Sequence, residues 1–173
     1  MRTRSIWLMS GMLLVGSASA VVLATDARGF SGTTLASGRF DEIDLKAHTI
    51  PADFWQARLK TQGQSDLFVQ SNVWQPGGSS GWHTHPGPSL ITVTSGTVTA
   101  YNADDPSCAP HVYGPTAPLG PTFVDQGGDH AHVIRNETGS EARSITVQLI
   151  PPLGPTGRRI DRPHPLNCPL NID

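Results

Sequence analysis

The chain has 173 residues, with 12 basic and 14 acidic side chains and a formal net charge of −2. Charged residues make up only 15 % of it, a balance that gives no reason to expect nucleic acid or an anionic membrane as partner. The length suits one domain with its own core, and 18 glycines and 15 prolines among short β-branched and aromatic runs predict an all-β architecture.

The first residues read as an address. Met1, Arg2, Thr3 and Arg4 make a basic start, residues 6–15 are apolar, and Ala18, Ser19 and Ala20 form a small-residue cleavage signature, so residues 1–20 are expected to be a signal peptide. The competing reading is an uncleaved anchor reaching residue 24, because Val21, Val22, Leu23 and Ala24 prolong the apolar stretch toward the ~20 residues that cross a bilayer. Ser10, Gly11, Gly16, Ser17 and Ser19 dilute that span. Both readings put the folded part outside the cytoplasm: secreted, periplasmic or at the cell surface.

Residues 30–150 read as a series of strands. Residues 55–60 alternate apolar and polar, as in a half-buried strand. An apolar run from Leu67 to Trp74 is expected to stop at Gln75, Pro76, Gly77 and Gly78. Residues 90–94 and 97–101 flank Ser95 and Gly96, which predicts a hairpin. Residues 122–124 and 130–135 are shorter candidates, and residues 144–150 close the body before Pro151 and Pro152. Pattern alone leaves sandwich, jelly roll and small barrel open.

The chemistry concentrates at His83 and His85. Strand side chains alternate, so two histidines two apart share a face and can bind one transition-metal ion if that face is the inside of a barrel. Asp129, His130, Ala131 and His132 form a second cluster that could complete the ligand set. His130 shares parity with His132 and is a candidate fourth ligand, supporting donor or catalytic acid/base. Asp125 or Asp129 could bring a carboxylate to the site, each being equally suited to a turn; Asp125 reads rather as a turn residue and Asp129 stays undecided between turn and site. Trp82, Trp74 and Tyr101 are assigned to packing, Arg135 to a surface ion pair, His111 to an exposed loop, and His48 and His164 to no role. No Gly-x-Ser-x-Gly elbow and no phosphate-cradling Gly-Lys-Ser/Thr loop occurs.

Cys108 lies in a polar turn and Cys168 in a Pro-rich tail, residues 151–173. An even count outside the cytoplasm reads as a disulfide, two unrelated buried thiols being the alternative. Such a bridge would close a loop of roughly 60 residues, worth about 4 kcal/mol in the chain-entropy model, and would pin the tail to the body.

Gly77, five residues, His83-Thr84-His85, three residues, Ser89, six residues and Gly96 resemble the first cupin motif, in which Glu usually stands in place of Ser89. His132 to Asn136 is similar to the end of the second cupin motif, whereas Gly127 and Asp129 occupy its usual Pro and Gly positions. The resemblance, to small single-domain secreted cupins, implies an all-β double-stranded β-helix, or jelly-roll barrel, over 30–150. It implies one divalent transition metal inside (iron, manganese, nickel, copper or zinc) on His83, His85 and His132, and pairing into a homodimer. Two functions are then expected: a three-histidine dioxygenase acting on a small oxygenated organic substrate, or a non-catalytic binder of a metal or small ligand. The Ser89 departure leaves three neutral ligands and an open coordination position.

Overall fold

The computed structural model describes residues 24–50, 54–153 and 157–172. The expected signal peptide, residues 1–20, lies outside the described residues, and among those described no helix is long and apolar enough to cross a membrane.

The described residues form twelve strands: β1 Arg28–Phe40, β2 Asp44–His48, β3 Gln56–Lys60, β4 Ser65–Ser79, β5 His83–Thr84, β6 Ser89–Ser95, β7 Val98–Asn102, β8 His111–Tyr113, β9 Thr122–Asp125, β10 His132–Arg135, β11 Ala142–Ile150 and β12 Ile160–Asp161. All pairings are antiparallel. One half runs β1-β4-β11-β6-β9 and the other β12-β5-β10-β7-β8, and the two join where Arg135 of β10 meets Ser79 of β4. The result is a nearly closed antiparallel barrel, as the all-β jelly-roll expectation requires.

Period-2 alternation sorts the side chains into two cores. Trp74, Val93, Val98, Ala100, Ile134 and Ala142 fill the barrel between the halves. Their outward neighbours Trp82, Tyr101 and Val133 pack with Cys108, Cys168 and Ile172, so the tail seals the outer face of β5, β10 and β7. Cys108 and Cys168 are disulfide-bonded across a sequence separation of 60.

Three expectations about elements are corrected. Of residues 55–60, Gln56–Lys60 form β3, but among the described residues it pairs only with β2, in a separate two-stranded sheet, and stays largely exposed, because no barrel strand pairs with it. β4 does not stop at Gln75: pairing jumps from Phe30↔Trp74 to Arg28↔Ser79, so residues 75–78 form a bulge and the strand resumes. Residues 90–94 and 97–101 make no hairpin, since β6 pairs with β11 and β9 while β7 pairs with β10 and β8. The connection crosses from one half to the other. Gly96 permits this with φ of +69° and a backbone so close to β11 that a Cβ would lie 2.6 Å from the Glu141 carbonyl.

Candidate metal centre

Register brings the histidines together. His132 of β10 is the cross-strand partner of His83 of β5, and both point inward with Ile134 while Trp82 and Val133 point out. His85 follows β5 directly. Ligand-capable atoms of His83, His85 and His132 all lie within 4.8 Å of one another, and the rings are 4.4 to 5.6 Å apart between centroids.

The surroundings set the tautomers. The Nδ1 of His83 donates to the Gly81 carbonyl at 2.8 Å, and that of His85 to the Arg158 carbonyl at 2.7 Å. A carbonyl can only accept, so each ring carries its proton on Nδ1 and keeps its Nε2 lone pair for a metal. Burial holds all three imidazoles below the ordinary histidine value, opposed at His85 and His132 by the Asp125 carboxylate and strengthened by the Arg159 charge. His132 is pushed down to about 4. The rings are therefore neutral near pH 7, the form that binds metal.

Asp125, read from the sequence as a turn residue in preference to a site carboxylate, takes both roles. Its Oδ1 accepts the Gly127 N–H at 2.9 Å, so it does serve a turn, as expected. It is also buried, with Oδ1 3.5 Å from His132 Nδ1 and Oδ2 3.8 Å from His85 Nε2. β6 and β9 pair Ser89 directly with Asp125, so a carboxylate reaches the site from the strand beside the position where Glu is usual. Only the tertiary pairing reveals this. Gly127 follows with φ of +70°, and a Cβ there would run into the Gly87 carbonyl. The turn is tied down by Gly128 N–H to the His85 carbonyl, 2.7 Å, and by Thr84 Oγ1 to the Gly128 carbonyl, 2.8 Å.

Other candidates fall outside. His130 precedes β10, is half exposed and pairs with Asp104 at 2.8 Å; the parity argument fails for it because the strand begins only at His132. Asp129 is exposed. Arg135 lies 3.8 Å from Glu137 and donates to the Asn171 carbonyl, and Trp82 is buried with its indole N–H on the Ile172 carbonyl at 3.1 Å.

A cavity of about 430 Å³ opens onto the histidines, with Gln70, Asn72, Thr146 and Gln148 as polar lining and Phe30, Trp74 and Ile91 as apolar lining. Gln148 and Thr146 reveal a signal that was present in the sequence. Along β11 the inward positions are Ser144, Thr146 and Gln148 and the outward ones Ile145, Val147 and Leu149, an inverted alternation that marks an inner face built for a polar ligand.

No protein-family model matches the chain, and no curated protein does. Solved structures do match. The polyketide cyclase RemF from Streptomyces resistomycificus aligns over 91 % of this chain and 89 % of its own, with 15 % identity and a TM-score of 0.50. A cupin-superfamily sugar phosphate isomerase from Silicibacter pomeroyi shares 24 % identity over 50 % of this chain and 52 % of its own, at a TM-score of 0.41. Oxalate oxidase in complex with the substrate analogue glycolate shares 21 % identity over 47 % of this chain and 41 % of its own, at a TM-score of 0.39. The matches to the last two thus cover about half of those chains or less.

Proposed function

The chain shares the jelly-roll fold of the cupins, and from that premise we propose that it binds one divalent transition metal (iron, manganese, nickel, copper or zinc) on His83, His85 and His132, outside the cytoplasm. The observation that carries this is the donor set: three neutral imidazoles within 4.8 Å, His83 and His132 buried and His85 half-buried, two of them with Nδ1 committed to backbone carbonyls. Asp125 Oδ2, buried beside them with no hydrogen-bond partner among the described residues, supplies the negative charge that a cation there would balance.

The reading extends to a metal-dependent enzyme, dioxygenase-like, acting on a small oxygenated organic molecule in the cavity. A bound metal would supply Lewis-acid polarisation or one-electron chemistry to a ligand oxygen. The chain's own residues bind and orient: Gln70, held by the Asn72 side-chain carbonyl, offers hydrogen bonds and the aromatic wall excludes water. One observation favours the alternative, a non-catalytic metal- or ligand-binding protein. His130, the acid/base candidate, faces Asp104 outside the main cavity.

Export of the precursor and an oxidising location accord with the disulfide. A homodimer is supported by an apolar row across the outer face of one barrel half. Val69, Val147, Leu90 and Val124 are successive cross-strand neighbours there, and Leu90 and Val124 are 59 % and 61 % exposed.

Elemental analysis of the exported protein beside a His83→Ala/His85→Ala variant tests the centre. We expect close to one metal per chain, lost in the variant; a protein that stays empty after reconstitution overturns the reading. A redox metal with oxygen consumption supports the dioxygenase, whereas a loaded protein without turnover leaves the binding role.

A further inference from the structure

The tail does more than seal the outer core. It carries Arg158 and Arg159 to the mouth of the cavity, where they are the two guanidinium groups of its lining. Arg159 is already committed, its Nε lying 2.5 Å from Asp161 Oδ1. Arg158 is not. Its guanidinium carbon sits 4.5 Å from the Phe68 ring centroid, and Nη1 is buried with no hydrogen-bond partner among the described residues.

Such a group is costly to leave unmatched. A buried cationic donor without an acceptor forfeits its hydration, and a carboxylate restores it through a charge-assisted hydrogen bond. The one carboxylate of the lining, Asp125, stands against the imidazoles instead, and the other buried acceptor there without a hydrogen-bond partner among the described residues, Gln148 Oε1, carries no charge. The backbone that carries it is also held in place. The Arg158 carbonyl accepts from His85, β12 pairs Ile160 with Thr84, and Arg162 N–H donates to the Trp82 carbonyl at 2.9 Å. A second buried donor without a partner, the Trp74 indole N–H, lines the same cavity beside Phe30, whose ring lies 5.0 Å from that of Trp74.

We propose that the cavity takes an organic anion, with a broad apolar body against Trp74 and Phe30 and a carboxylate received by Arg158. This deepens the proposed function by naming the ligand class; it rests on the cavity being the ligand site and not on the metal. The tail is then a specificity element, clamped by the disulfide and carrying the charge that selects acids over neutral molecules of the same shape.

The test is calorimetric, on the full oxidised chain, once stripped by chelator and once loaded with zinc. Benzoate and 2-naphthoate are titrated against their neutral amides, benzamide and 2-naphthamide. At least one acid is expected to bind 10-fold or more tightly than its amide in both preparations. Arg158→Gln should remove the preference and Arg158→Lys should keep part of it; the wild-type contrast holds even if Arg158→Gln does not fold. Equal binding of acid and amide, binding of none of the four, or a preference that survives in Arg158→Gln would each overturn the proposal. A preference seen only with zinc and untouched by Arg158→Gln would assign the anion to the metal and remove Arg158 from the account. If zinc fails to bind, the metal reading falls while the stripped protein still tests Arg158.

Discussion

At the scale of single residues, Asp125 couples a turn to two of the three imidazoles. Asp125→Asn preserves an acceptor for the Gly127 N–H and removes the charge beside His85 and His132. Metal affinity is expected to fall by about 10- to 100-fold with little loss of fold, read by competition with a chromophoric chelator. Unchanged affinity would leave Asp125 a turn residue only. The imidazoles also make a pH prediction for the metal-free protein. Their folded values lie below 6.5, His132 at about 4, so between those values the unfolded chain binds more protons than the folded one. Stability from these groups is full above pH 7 and declines as pH falls through 6.5 toward 4. Urea melts at stepped pH should show that decline, and His132→Gln should flatten it; a variant as pH-sensitive as the parent would refute the assignment.

At the scale of elements, the bend after β10 holds the barrel halves together. Asn136 is fully buried, donates to the carbonyls of Trp74, Gln75 and Ser140 and accepts from Thr138 N–H and Oγ1. Asn136→Ala strands those groups and is expected to destabilise by about 2–4 kcal/mol, each lost buried partner costing on the order of 1 kcal/mol, as chemical denaturation would measure. The turn after β9 is as sensitive for another reason. Gly127→Ala forces a side chain into a left-handed backbone against the Gly87 carbonyl, so the His85 loop should shift and metal affinity fall together with stability. An alanine variant with parental affinity would show that this turn does not position His85.

At the scale of the whole molecule, the tail is joined to the barrel by one covalent link, one short strand and hydrogen bonds such as Trp82 to the Ile172 carbonyl and Arg135 to the Asn171 carbonyl. Replacing both Cys108 and Cys168 by alanine opens a 60-residue separation and should cost about 4 kcal/mol in the chain-entropy model. The same change should weaken binding at Arg158 before it weakens metal binding, since the tail carries the first and β5 and β10 carry two of the three imidazoles. A double variant with unaltered stability would show that β12 and the Trp82 core hold the tail unaided. The apolar row across β4, β11, β6 and β9 makes a separate forecast. Light scattering should find a dimer, and Leu90→Glu with Val124→Glu should give monomers; a parent that is monomeric at high concentration would remove the second copy.

The amino-acid sequence by itself determined the fold class and the histidine pair, because both rest on local chemistry: Gly/Pro punctuation of β-branched runs, period-2 alternation, and spacing within a motif. It also named Cys108 and Cys168 through count and compartment. It failed where partners are distant in the chain. The hairpin at Ser95 and Gly96 was misread because a short Gly turn looks alike whether the following strand pairs back or crosses over, and the bulge at residues 75–78 depends on β1 lying alongside. The pairing of Ser89 with Asp125, the outward turn of His130 and the delivery of Arg158 to the cavity were decided by tertiary structure alone, because each depends on which strand lies beside which.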